Sequence, residues 1–124
     1  MIGLLAVALP AAIGAPLRHL VHRWIHRRYG GTQAWGTFVI NVSGSFALGV
    51  VIGLALFHGL PQTPKLALGT GFCGAYTTFS TFTFETLQVG RDTSIRAAAA
   101  NIVGSLTASL LAAAAGLAVA AIGS

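Results

Sequence analysis

Twelve residues, GAYTTFSTFTFE (74–85), form a dense run of hydroxyl and aromatic groups in this 124-residue chain. They combine phenylalanine and tyrosine rings with the hydroxyl groups of Thr77, Thr78, Ser80, Thr81 and Thr83. Hydroxyls donate hydrogen bonds, and the edge of a phenyl ring has a partial positive charge. These groups suit a small anion, because they can replace part of its water shell.

Polar residues also recur at intervals of four in two other apolar segments. They are Thr37, Asn41 and Ser45 in one segment and Asn101, Ser105 and Ser109 in the other. Residues four apart lie along one ridge of a helix. Such stripes act either as hydrogen-bond glue between helices or as the lining of a pathway, and three stripes together favour the pathway. Carboxylates, which usually mark cation pathways, are limited to Glu85 and Asp92.

The composition indicates that these stripes lie in a membrane. The chain is 55% hydrophobic and only 7% charged, whereas soluble domains have about 25% charged residues. Four apolar segments are long enough to cross a bilayer, from about Gly3 to Leu20, Ala34 to Phe57, Pro64 to Gln88 and Ile95 to Ile122. The sequence therefore predicts an all-α membrane protein, one domain over residues 1–124, with four transmembrane helices per subunit. So thin a bundle also favours oligomers.

The third of these segments contains a predicted break in mid-membrane. GTGFCGAYTT (69–78) places three glycines just before the hydroxyl run. An unwound turn there would release carbonyl oxygens, which are tolerated in a membrane only when they are buried in protein or bind something. Carbonyl oxygens prefer hard cations such as sodium. A glycine-rich helix that simply packs closely is the alternative, because periodicity does not distinguish the two.

Two stretches, GTFVINVSGSFALG (36–49) and GFCGAYTTFSTFTFE (71–85), are similar to the signature stretches of the Fluc (CrcB) fluoride channels. GAPLRH (14–19) resembles the end of that family's first helix. The resemblance implies a subunit that pairs antiparallel with a second subunit, in a dual-topology-type dimer with two fluoride pores and one structural sodium ion at its centre. It also implies passive export of fluoride across the inner (plasma) membrane.

The resemblance further implies roles for residues at matching positions. Phe79 and Phe82 would be the pore phenylalanines, and Asn41 would be the pore-lining amide. Backbone carbonyls of Gly74 and Thr77 would bind the sodium ion. The other pore residues would be Ser80, Thr81, Thr83, Ser105 and Asn101, with Arg18 near a vestibule that attracts anions. Arg18 has an alternative role as an anchor among the lipid headgroups.

Other function classes are less well supported. A small proton-coupled drug exporter also has four helices, but it needs a carboxylate in its first span, and Met1 to Leu17 contains none. A non-transporting assembly factor would not need polar stripes on three helices. The cations flank apolar segments, which fits anionic lipid headgroups and not nucleic acid. The sequence has no nucleophile–base pair and no phosphate-binding loop, so an enzyme is not expected.

Cations are divided unequally between the two predicted sides of the membrane. One side has Arg18, Arg23, Arg27, Arg28, Arg91 and Arg96, and the other has Lys65 alone. The bias predicts a fixed orientation with both termini outside. We therefore hypothesise a heterodimer with a reversed paralogue, with the homodimer as the alternative.

Overall fold

The computed structural model of the chain describes residues 2–29 and 33–122, whose regular structure is helical. Its elements are α1 (Ile2–Tyr29), α2 (Gln33–Phe57), α3 (Gln62–Lys65), a π-helical segment (Leu66–Cys73), α4 (Gly74–Tyr76), α5 (Ser80–Asp92) and α6 (Ile95–Ala121). Among the described residues, three helices are long and apolar enough to cross a membrane, namely α1, Trp35–Phe57 of α2, and α6. The prediction of an all-α membrane protein is confirmed at this level, and the fourth crossing stays a prediction.

The helix α1 continues to Tyr29, well beyond the predicted end of the first span at Leu20. No glycine or proline interrupts the chain from residue 17 to residue 29. The last turn carries His26, Arg27 and Arg28, and cations there interact favourably with the negative end of the helix dipole. A helix of 28 residues is about 42 Å long, against about 30 Å of bilayer hydrocarbon. A membrane-spanning α1 therefore extends its basic end beyond the hydrocarbon.

The third predicted span consists of several pieces. After α3 it is π-helical over Leu66–Cys73, a rare conformation that is frequently found at functional sites. The chain leaves the helical conformation at Thr77, where φ is −80° and ψ is 160°, and α5 begins at Ser80. The backbone is therefore interrupted within the hydroxyl-rich run. The depth of this interruption in a membrane stays a prediction.

The α2–α6 seam consists of small residues, Gly49 and Gly53 on α2 and Ala113, Gly116 and Ala120 on α6. A Cβ atom on Gly49 would overlap the carbonyl of Ala113, and one on Gly116 would overlap the carbonyl of Phe46. Close approach of the two backbones therefore requires glycine at both positions. Gly104, by contrast, has open space where its Cβ would lie.

The arginine-bearing C-terminal ends of α1 and α5 lie at the same end of the bundle. The ring of His22 in α1 lies against Gly36 near the start of α2. The next residue, Thr37, bonds to Glu85 near the middle of α5. Lys65 follows α2 and lies at the opposite end. Apart from Arg18, which bonds to Thr77 at the interruption, the uneven division of cations is therefore a division between the two ends of one bundle.

Candidate functional site

Side chains hold the interruption between α4 and α5 in place. Asn41 of α2 bonds to both backbone groups of Thr78: its Nδ2 donates to the Thr78 carbonyl at 3.0 Å, and the Thr78 N–H donates to its Oδ1 at 3.0 Å. The Oγ1 of Thr78 accepts the N–H of Thr81 at 3.3 Å and so caps the first turn of α5. Backbone groups that leave the helix thus find partners within the protein, as a membrane interior requires.

Two carbonyl oxygens lose their helical donors at the interruption. In an α-helix the N–H of residue i bonds to the carbonyl of residue i−4. The Thr78 N–H would then bond to Gly74, and the Thr81 N–H would bond to Thr77. Both N–H groups have the side-chain acceptors described above. Gly74 is also exposed, and the nearest atom to a Cβ placed on it is 3.9 Å away.

The predicted sodium residues therefore present carbonyl oxygens of the kind that hard cations prefer. Arg18 shares one of them, since its Nη1 donates to the carbonyl of Thr77 at 3.5 Å. Within residues 2–29 and 33–122, no three His, Cys, Asp or Glu side chains form a group that could hold a metal ion. In this part of the chain, the carbonyls are the better candidates for binding a cation.

A cavity of about 530 Å³ lies beside the interruption. Three parts of the chain line it, with Asn41 and Ser45 from α2, Gly74, Thr77, Phe79 and Phe82 from around the interruption, and Ser105 and Ser109 from α6. The rings of Phe79 and Phe82 have centroids 6.1 Å apart and planes tilted by 33°. The structure thus brings together amide, hydroxyl and ring groups that the sequence places on three separate segments.

Ser105 provides a hydrogen-bond donor with no partner among the described residues. The residue is only 5% exposed, and its Oγ is buried. An unsatisfied buried polar group costs about 1–3 kcal/mol, so each one in a folded protein requires an explanation. Because Ser105 lines the cavity, a bound polar species would supply the missing partner.

Thr81 and Thr83 lie outside the described lining of the cavity. Thr81 and Thr83 are exposed, and the Oγ1 of Thr83 donates to the carbonyl of Phe79 at 2.9 Å within the same helix. The side chain of Ser80 lies outside the described part of the structure. Their predicted roles along a pore stay predictions.

Asn101 and Arg18 also lie outside the lining and make other contacts. The Nδ2 of Asn101 donates to the Oγ1 of Thr86 at 2.7 Å and so joins α6 to α5. Arg18 approaches the interruption through its bond to Thr77. The bond of Asn101 is of the kind expected for the alternative explanation of a polar stripe, hydrogen bonding between helices, and its predicted pore role stays a prediction.

The sequence did not reveal the buried pair of Glu85 and Thr37. Glu85 is 3% exposed and Thr37 is 1% exposed. The Oγ1 of Thr37 donates to the Oε1 of Glu85, while the Oε2 has no partner among the described residues. The signal that the sequence offers for the burial of Glu85 is its spacing. It lies three residues after Phe82, on the same face of a helix.

Comparisons with known proteins identify relatives of this chain. A family model described as CrcB-like protein, Camphor Resistance (CrcB), matches residues 5–117. The Fluoride-specific ion channel FluC 1 of Streptomyces avermitilis is 43% identical over 113 residues, which cover 91% of each chain. The protein of the same name from Frankia casuarinae is 44% identical over 122 residues and 94% of each chain. The Fluoride-specific ion channel FluC 2 of Moorella thermoacetica is 48% identical over 99 residues, or 79% of this chain and 80% of that one.

These relatives are named as channels and not as enzymes. The family match covers most of the chain, and so do the identities with the curated relatives. The resemblance seen in the signature stretches is thereby confirmed, and the chain belongs to the CrcB family.

Proposed function

We propose that this chain is a subunit of a fluoride-selective channel that lets fluoride leave the cytoplasm passively. The cavity is the observation that carries the proposal, because the unpartnered hydroxyl of Ser105 shares it with the amide of Asn41 and two phenyl rings. None of the described residues that line it is charged. The names of the relatives support fluoride as the anion.

The lining groups are donors of moderate strength. A side-chain amide has two N–H donors. Asn41 uses one of them on the Thr78 carbonyl, and the other is left for an anion in the cavity. Fluoride is strongly hydrated, so a pore must replace its water and yet bind it weakly enough to release it. Hydroxyl, amide and ring-edge hydrogens meet both requirements.

The proposal includes an antiparallel dimer that closes the cavity. Phe79 lines the cavity and is nevertheless 69% exposed in the single chain, and Gly74 is exposed beside it. The chain has a surface of 7681 Å², against about 6,200 Å² expected for a compact monomer of its mass. A second copy, or a reversed paralogue, would cover this surface. In that dimer the segment from α3 to α5 forms the fourth crossing, and its interruption lies in mid-membrane.

The proposal also includes one structural sodium ion at the centre of the dimer, bound by the carbonyls of Gly74 and Thr77. Both carbonyls lack their α-helical donors, and the open space at Gly74 leaves access to them. When bound, the ion supplies positive charge that ties two subunits together. The residues around the interruption hold the carbonyls in position.

The proposed location is the inner membrane, with the arginine-rich end in the cytoplasm. Arg23, Arg27 and Arg28 are exposed at the end of α1 that extends beyond the hydrocarbon, where anionic headgroups attract them. Fluoride that enters as HF and dissociates inside would then leave down its gradient. Equal amounts of the two orientations in reporter-fusion mapping would contradict the fixed orientation and the paralogue heterodimer.

Fluoride efflux from liposomes tests the channel itself. The purified chain is reconstituted alone and together with any reversed paralogue, and efflux is followed with a fluoride electrode while an ionophore balances the charge. We expect fluoride efflux that does not require a proton gradient. A drug exporter would show no fluoride flux but proton-coupled dye movement, and an assembly factor would show neither. Vesicles that stay impermeable to fluoride under both conditions would contradict the proposal.

A further inference from the structure

We propose that Asn41 and Thr78 are positioning residues that keep the carbonyls of Gly74 and Thr77 available to a hard monovalent cation. This inference rests on the sodium site in the proposed function. It gives Asn41 a second role besides that of a donor in the cavity, and it gives Thr78 a specific role.

The amide of Asn41 fixes the backbone of Thr78 at two points. Its hydrogen bonds to the Thr78 carbonyl and N–H are both 3.0 Å long. Two bonds to the same residue define its orientation as well as its position. The second of these bonds occupies the Thr78 N–H, which would otherwise form an ordinary helical bond to the Gly74 carbonyl. Without the amide, pairing of Thr78 with Gly74 is the simplest way to satisfy both groups away from water.

The hydroxyl of Thr78 likewise occupies an N–H group that would otherwise pair with a released carbonyl. Its Oγ1 accepts the Thr81 N–H at 3.3 Å, which would otherwise bond to the carbonyl of Thr77. The two released carbonyls therefore depend on two different side chains. Removing either side chain allows helical pairing at one of these two carbonyls.

Arg18 limits what the Thr77 carbonyl can do. Its guanidinium uses one lone pair of that oxygen, and a carbonyl oxygen has two. The second lone pair is left for a cation, and its direction depends on how the interruption is held. Because Asn41 and Thr78 both line the cavity, the anion pathway and the cation site share both positioning side chains.

Sodium-dependent thermal unfolding of the full-length protein tests the inference. The purified chain is titrated with sodium chloride against N-methylglucamine chloride at constant ionic strength, and the unfolding midpoint is recorded. The variants are Asn41→Leu, which removes both bonds, Thr78→Val, which removes the hydroxyl, and Thr78→Ser, which keeps it. Thr107→Val is the control, because Thr107 is exposed on α6 and lies outside the described lining of the cavity. Hydrogen exchange over residues 74–81 is measured in parallel.

We expect the wild-type midpoint to rise with sodium. The sodium concentration that gives half of this rise should increase about tenfold or more in Asn41→Leu and about fivefold in Thr78→Val, in line with the loss of two neutral hydrogen bonds and of one. Thr78→Ser and Thr107→Val should behave like the wild type. Exchange at residues 78 and 81 should change in the same variants that lose sodium sensitivity.

A wild-type sodium response in both Asn41→Leu and Thr78→Val would overturn the inference and leave the cation site intact. A wild-type protein that conducts fluoride but shows no sodium response would overturn both the inference and the cation site, while the channel stands. If Asn41→Leu does not fold, the comparison of Thr78→Val with Thr78→Ser decides, since both keep Asn41.

Discussion

The α2–α6 seam and the interruption between α4 and α5 satisfy the same requirement in opposite ways. Both must pair backbone polar groups away from water. At the seam, two unbroken helices pair these groups internally, and Gly49 and Gly116 let the backbones touch. At the interruption the helical bonds are lost, and the side chains of Asn41 and Thr78 replace them. Substitutions at the seam should therefore change folding, whereas substitutions around the interruption should change transport.

The largest effect is expected from Phe82→Ile on fluoride flux. The substitution removes a ring edge from the cavity and leaves an apolar side chain in its place, so the fold should be retained. We expect a near-complete loss of fluoride efflux from liposomes, at least about tenfold, since every 1.4 kcal/mol added to a barrier slows passage tenfold.

Phe84→Ile is the matched control for that measurement. Phe84 lies two residues further along α5, is 61% exposed and does not line the cavity. Its substitution should leave flux close to that of the wild type. Unchanged flux in Phe82→Ile would remove the ring of Phe82 from the pathway.

Gly49→Ala tests the seam with a single methyl group. The new Cβ would overlap the Ala113 carbonyl, and overpacking of this kind costs about 1–3 kcal/mol. We expect a lower thermal midpoint and less folded protein. Gly104→Ala adds the same methyl where nothing lies within 4 Å, and its midpoint should be equal to that of the wild type or higher, because alanine favours helix more than glycine does. An equal fall in the thermal midpoints of Gly49→Ala and Gly104→Ala would show that close packing at the seam does not cause the loss of stability.

A smaller effect is expected from the pair of Thr37 and Glu85. Thr37→Val removes the hydroxyl that donates to the Oε1 of the buried Glu85 and should lower the free energy of unfolding by about 1–3 kcal/mol. The double variant Thr37→Val, Glu85→Leu removes both partners and should recover most of this loss. Thr107→Val, at an exposed position of α6, should have no effect. Additive losses in the double variant would show that the two residues do not act as a pair.

Helix positions could be predicted from the sequence wherever turn residues bound an apolar run. The sequence predicts helices over about Ala34 to Phe57 and Ile95 to Ile122, and the structure has Gln33–Phe57 and Ile95–Ala121. Hydropathy could not predict the extension of α1 to Tyr29, since a helix continues through basic residues as readily as through apolar ones. Nor could hydropathy predict the π-helical segment, because eight residues are too few to distinguish the periodicity of a π-helix from that of an α-helix.

The candidate site could be predicted as a set of residue types but not as a set of bonds. The spacing of Asn41 and Ser105 on their stripes indicated residues that do line the cavity. The partner of Asn41 could not be inferred, because Thr78 lies 37 residues away and the bond depends on how two helices pack. Asn101 has the same spacing as Ser105 but bonds to a neighbouring helix, so periodicity alone does not separate a lining residue from a structural one.

The π-helical segment Leu66–Cys73 has a consequence for the direction in which the residues after it point. Hydrogen bonds from residue i to residue i+5 place more residues in each turn than α-helical bonds do, so each residue turns the chain by less than the roughly 100° of an α-helix. If the same residues returned to α-helical pairing, everything after them would rotate about the helix axis. Thr78 would then swing away from Asn41, although neither residue had been altered. The segment thus sets the angular phase of the third span through its backbone pairing, independently of the side chains that hold the interruption.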